Sequence, residues 1–245
     1  MEVKAEKINP YGDDRCKTEQ VREMFDSIAP AYDFMNRMMT FGIDKLWRRR
    51  AVNMLRRRAP QHILDVATGT GDLALLMHRR LHPDRITGID LSEGMIAIAR
   101  KKAENSGAEA HIRFMTGDCL YLPFAQEVFD CITVAYGVRN FEHLDRGYRE
   151  MHRVLSRGGM LCVIELSTPV SPLVKPFYNF YTHHIIPAVG RLVSHDVRAY
   201  SYLPESIAAV PQGDDMLQLM RDAGFTDCRF RRLTFGTCTI YTAIK

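Results

Sequence analysis

The residues best placed for chemistry lie in ILDVATGTGDLA, residues 63 to 74. Gly69, Thr70 and Gly71 fall where a short apolar run gives way to a helical one. Glycines there let the backbone come close to a ligand, and the helix start offers N–H groups with no partner inside the helix. Asp90 closes the next apolar run, RITGID, about twenty residues on, the spacing at which an acid accepts both hydroxyls of a ribose. The chemistry indicated is the binding of a nucleoside.

Two nucleoside classes fit the glycines, because Gly69, Gly71 and Ala74 also satisfy the dinucleotide pattern G-x-G-x-x-G/A. Asp65 weighs against a dinucleotide. It sits inside the run four residues before Gly69, where a carboxylate suits the ammonium of an amino-acid cofactor and repels a pyrophosphate. In GDCLYLPF, Asp118 follows the third apolar run and suits an adenine amino group, with the Cys119 backbone beside it. Three carboxylates favour a cation, and S-adenosylmethionine carries both a sulfonium and an ammonium.

The elements that must position these residues alternate. HILDVA, RITGID, HIRFMTGD, FDCITVAYG and MLCVIEL read as strands, separated by the helical stretches GTGDLALLMHRRLH, SEGMIAIARKKAENSG and LDRGYREMHRVLS. That alternation predicts a parallel sheet with helices on both faces. DDMLQLMRDAGF reads as a further helix, and DCRFRRLTFGTCTIYTAI as two strands turning at Phe235 and Gly236, an antiparallel hairpin. Residues 1–16 are expected to be flexible. Residues 17–245 form one domain, with a helical lid over 17–59 broken near Pro30 and Gly42. Thr18 is expected to cap its first helix, and 168–210 is expected to be an insertion of short helices and loops.

Composition narrows the class. The chain has 245 residues, 46% of them hydrophobic and 25% charged, as a folded domain requires. Its six cysteines follow no metal-ligand spacing, so free thiols and no structural metal are expected. No apolar leader opens the sequence, which suggests the cytoplasm or the cytoplasmic face of a membrane. A net charge of +4 does not demand a nucleic-acid partner. The segment WRRRAVNMLRRRA is locally basic, however, and Arg48 to Arg58 could form a docking helix for anionic lipid headgroups.

Several motifs in fixed order carry a resemblance. FDSIAPAYDFMN with FGIDKLW, DVATGTGDL, LPF with FDCITVAYGVRNF, RVLSRGGMLCVIELS, and YSYLPESI with DAGF resemble the menaquinone and ubiquinone biosynthesis C-methyltransferases over residues 18 to 245. This sequence departs from that family's usual residues at Thr40, Asp44, Ala135 and SRGG, residues 156 to 159. The resemblance implies a class I methyltransferase, Rossmann-like, with a mostly parallel seven-stranded sheet ending in the antiparallel hairpin. It implies S-adenosylmethionine as cofactor, held by Asp65, Gly69, Thr70, Gly71, Asp90, Leu91, Asp118, Cys119 and Ala135. The substrate implied is a polyprenylated quinol, with demethylmenaquinol the expected acceptor and the ubiquinone-pathway benzoquinol the alternative.

For the reaction, Arg139 and Asn140 of GVRNF would face the methyl group, where the guanidinium could stabilise a developing phenolate. Tyr32 could complete the hydrogen bonds. From the insertion, His184, with Asp196, Tyr200 and Tyr202, is a candidate for the same pocket. The stretch YDFMNRMMTFGIDKLW, residues 32 to 47, would form the pocket's greasy wall, its methionines and Phe34, Phe41 and Trp47 accommodating a prenyl tail. Competing classes remain. An NAD-dependent dehydrogenase predicts protection by NAD, and an RNA methyltransferase predicts retention on RNA in moderate salt. The latter lacks the PPY and PC motifs of the nucleic-acid enzymes, so no nucleic-acid partner is expected. A homodimer is one expectation for the assembly.

Overall fold

The structure, a computed structural model, describes residues 3–185 and 197–245, apart from the side chains of residues 183, 184, 197, 199 and 200. Seven strands form one sheet in the order β3-β2-β1-β4-β5-β7-β6. They are β1 (His62–Val66), β2 (Arg85–Asp90), β3 (Ile112–Thr116), β4 (Phe129–Ala135), β5 (Leu155–Leu166), β6 (Thr226–Leu233) and β7 (Cys238–Ile244). The first five pair in parallel, and β7 runs antiparallel to both β5 and β6. Ile63, Leu64 and Val66 of β1 are fully buried, because helices cover both faces and a strand in that position has no solvent side.

On one face lie α5 (Leu144–Val154) and α8 (Asp214–Asp222), which bury Tyr148, Met151, Met216 and Met220. On the other lie α2 (Asp44–Leu55), α3 (Asp72–Leu81) and α4 (Glu93–Ser106), which bury Val52, Leu73, Met77 and Ile96. Strand order reverses between β1 and β4, so a crevice opens at the carboxyl ends of these two strands. The glycine loop lies at that end.

The lid helix α1 spans Lys17–Met39 without a break. Pro30 therefore sits inside it, contrary to the expected interruption. A proline there forfeits one backbone hydrogen bond, and α1 offsets that loss by burying Met24, Ile28, Ala29 and Met35 in a cluster with Met95 of α4 and Tyr202. The break near Gly42 is present, with Phe41 and Gly42 both at positive φ. Thr18 does not cap α1: Cys16 holds the N-cap position, and the Thr18 hydroxyl donates to the Glu142 carboxylate at 2.5 Å. Residues 3–6 of the segment expected to be flexible pack on the domain. Val3 and Ala5 are buried in the main core, and Glu6 accepts the Leu144 N–H at the start of α5. The insertion contributes α6 (Lys175–Phe180) and α7 (Val197–Ala209).

Candidate active site

The glycine loop closes the strand β1 to helix α3 turn. Gly69 has φ +55° and nothing near the position a Cβ would take, so its face is open to a ligand. Gly71, at φ +80°, does something else. A Cβ there would come within 2.7 Å of the Phe114 ring, so this glycine lets α3 pack against the sheet.

Asp90 organises the loop. Its Oδ2 accepts the Gly69 N–H at 2.8 Å and its Oδ1 the Ser92 N–H at 3.0 Å. Each oxygen keeps a second lone pair, the pair a ribose diol would use. Burial raises the Asp90 carboxyl above its ordinary range against the pull of those amides. Together with Gly69, Leu91, Asp118, Cys119 and Ala135 it lines a crevice roofed by Thr18, Val21, Phe25 and Tyr32 of the lid. Asp118 Oδ1 accepts the Leu120 N–H. Cys119 is no nucleophile, since burial and the carboxylates of Asp118 and Asp90 hold its thiol well above the usual range.

Three residues expected to touch the cofactor do not line this crevice. Asp65 lies beneath the loop, 1% exposed, with its oxygens accepting the hydroxyls of Thr68 at 2.6 Å and Thr133 at 2.5 Å. The Thr70 hydroxyl donates to Asp33 of the lid and accepts from Lys102. Gly71 is packed as described.

Burial lifts Asp65 to about 6, against the hydrogen bonds from Thr133 and Thr68 that would lower it. Its folded value exceeds its ordinary one, so the stability its neutral form supplies is complete below about pH 4 and lost as pH rises through 6. A gap of roughly two pH units corresponds to about 3 kcal/mol. Asp65→Asn cannot ionise. Its unfolding free energy relative to the wild type should therefore rise by about that much between pH 4 and pH 7.5 in urea titrations of the cofactor-free protein; a difference independent of pH would refute the assignment.

The lid is latched to this loop and to the start of α4 by two carboxylates that are not among the site residues expected above. Asp26 accepts the Ser92 hydroxyl at 2.6 Å and the Gly94 N–H at 3.0 Å, at the start of α4. Asp33 accepts from Thr70 and pairs with Lys102 at 2.5 Å. They lie seven residues, two helical turns, apart on α1, Asp33 reaching the glycine loop and Asp26 the start of α4. That spacing is the signal by which they could have been found.

A second cavity adjoins the crevice, and Tyr32 and Tyr136 line both. Arg139 lines the second cavity, while Asn140 lines the crevice and accepts from Tyr202 Oη at 3.2 Å. Arg139, 6% exposed, pairs with the buried Glu165 at 2.8 Å and donates to the Tyr136 carbonyl. Its Nε and the Tyr136 hydroxyl are buried without a partner. Tyr136 also has φ +59°, a conformation that costs a non-glycine residue about 1–3 kcal/mol and marks functional turns. Burial pushes its hydroxyl, like that of Tyr32, above the ordinary range, so both remain protonated donors. At the same cavity wall Asp44 accepts from Thr40 at 2.9 Å and Arg48 at 2.6 Å. The side chains of His184 and Tyr200, and all of Asp196, lie outside the described residues.

Fold and site together define a class I S-adenosylmethionine-dependent methyltransferase. A SAM-dependent methyltransferase from Thermotoga maritima, described as a possible histamine N-methyltransferase, superposes with a TM-score of 0.64 at 19% identity. The match covers 91% of this chain and 99% of that one. At that identity the likeness concerns the fold alone. Residues 13–245 match the model of the ubiE/COQ5 methyltransferase family, and the chain belongs to that family. Among its relatives, the demethylmenaquinone methyltransferase of Bacteroides fragilis is 50% identical over the full length of both chains. The ubiquinone/menaquinone biosynthesis C-methyltransferase UbiE of Geobacter sulfurreducens is 44% identical over 94% of this chain and 90% of its own.

Proposed function

We propose that this chain transfers the methyl group of S-adenosylmethionine to a ring carbon of demethylmenaquinol, completing menaquinone. The observation that carries the choice of acceptor is the full-length identity with a relative named for that reaction. The two adjoining cavities support it, one lined by the Asp90 and Asp118 carboxylates and the other apolar with a polar end at Arg139, Tyr136 and Asp44.

When bound, the cofactor supplies an activated methyl group, so the protein's work is alignment, worth up to about 7–11 kcal/mol where positioning is good. The crevice carboxylates Asp90 and Asp118 would hold the nucleoside, and Tyr32 would sit between donor and acceptor. Loss of a quinol hydroxyl proton makes the adjacent ring carbon nucleophilic, and a positioned base contributes about 10²- to 10⁴-fold. Asp44 is the acid in the wall of the second cavity and our candidate for that base, directly or through water. Arg139 stays protonated at any working pH and would stabilise the resulting phenolate.

The name of the Geobacter relative supports a second reading, in which a demethylated benzoquinol is also accepted. Incubation with labelled methyl donor and each reduced demethylated quinone decides between them. Label in the naphthoquinol alone is expected; label in the benzoquinol alone would overturn the proposal.

A further inference from the structure

Large apolar side chains that face solvent are concentrated on one side of this molecule. Apart from Tyr121 and Val128, every one among the described residues falls on the end of α1 and its turn, the start of α2, residues 170–185, or the tip of the β6–β7 hairpin. Phe41, Phe177 and Phe235 are each 78% exposed and Leu173 is 81% exposed. Isolated exposed leucines need no explanation, but a cluster on one face marks a surface built to be covered.

These segments adjoin one another. The rings of Phe41 and Tyr181 lie 5.8 Å apart, and Tyr181 Oη donates to the Met39 carbonyl. Trp47 Nε1 donates to Thr234 at 2.8 Å, tying α2 to the hairpin tip. Ser167 Oγ donates to the Gly236 carbonyl at 2.8 Å just before the 170–185 segment, and Val170, where that segment begins, lies against Gly236. Within this frame lies the second cavity, whose wall includes Phe41, Thr234 and Tyr181.

Charge decides what covers the surface. Between residues 34 and 58 the only acid is Asp44, which is buried against Arg48, whereas Arg37, Lys45, Arg49, Arg50 and Arg57 are exposed. Residues 168–185 contain Lys175 and no acid. A groove beside the cavity joins Arg49, Arg50, Arg57 and Arg231 to Leu46 and Met54. A protein partner would favour an interface core poor in charge. Apolar tips on short helices and turns with basic residues around them suit the headgroup boundary of a bilayer. No helix among the described residues is long and apolar enough to cross a membrane.

We propose that this face docks on a bilayer bearing anionic headgroups, with Phe41, Leu173, Phe177 and Phe235 entering the acyl boundary and the arginines meeting the phosphates. Arg48, expected to belong to the basic docking helix, is instead turned inward to Asp44, so the contact rests on Arg49, Arg50 and Arg57. The surface stands on exposure and charge. Its use as an entry for a prenylated acceptor rests on the quinol reading proposed above.

The test is co-sedimentation of the full chain with vesicles of phosphatidylcholine alone and of phosphatidylcholine with phosphatidylglycerol. Binding to the anionic vesicles, weakened by salt, is expected. The triple variant Leu173→Ser, Phe177→Ser, Phe235→Ser should bind at least about tenfold more weakly with an unchanged melting temperature and unchanged turnover of a short-chain quinol in solution. Arg49→Glu with Arg50→Glu should remove the preference for anionic vesicles. The proposal is overturned if the wild type ignores both vesicles, if it binds both equally, or if these variants only convert a dimer to a monomer in gel filtration. Docking by a protein that methylates no quinol would sink the functional reading and leave the surface standing. Methylation without docking would do the reverse.

Discussion

Asp90→Ala is expected to abolish measurable S-adenosylmethionine binding in calorimetry, a loss of more than about a hundredfold. Two losses combine. The ribose hydroxyls lose a charged acceptor, worth about 1.5–3 kcal/mol per hydrogen bond. The Gly69 and Ser92 amides lose the carboxylate that orients the glycine loop and the entry to α4. The second loss separates this site from a plain acceptor, and Asp90→Asn measures it. An amide oxygen can accept one of these N–H groups and one hydroxyl, so Asn should bind the cofactor weakly but detectably. If alanine and asparagine bound equally, the organising role would be wrong; if alanine bound like the wild type, the crevice would not be the cofactor site.

The parallel part of the fold was legible because its strands are short, apolar and separated by helices with clear starts, as the Ser92 cap of α4 illustrates. The hairpin around Phe235 was legible by alternation. Pro30 misled because its local rule concerns one hydrogen bond, whereas the face α1 buries depends on α4, which lies far along the chain. Thr18 misled for a related reason: its partner, Glu142, is more than a hundred residues away and leaves no local trace. In the site, Asp90 was found by spacing from the glycines. Asp65 was found too, but the sequence could not reveal that Thr68 and Thr133 would take its oxygens and hold it below the loop. Tyr136 was hidden by its place in an apolar run, where a tyrosine reads as core until its unpartnered hydroxyl and positive φ are seen.

Glu165, a lone acid in LCVIEL, was also overlooked. Glu165→Ala is expected to cost about 3–5 kcal/mol in denaturant unfolding, because it leaves the Arg139 guanidinium charged, buried and unpaired. It also strips the Arg139 and Leu166 amides of their acceptor. Against a total stability of ordinarily 5–15 kcal/mol, that is enough to bring the protein near unfolding at growth temperature. Activity lost in that variant alone would say nothing about chemistry. The double replacement of Glu165 and Arg139 by methionine separates the two roles. Removing both charges restores apolar packing of similar volume, so a substantial part of the stability should return. Methyl transfer should remain depressed by at least about a hundredfold at saturating cofactor, with the cofactor's dissociation constant close to that of the wild type. Recovery of transfer along with stability would mean that Arg139 holds β5 to the turn after β4 and has no part in stabilising the acceptor.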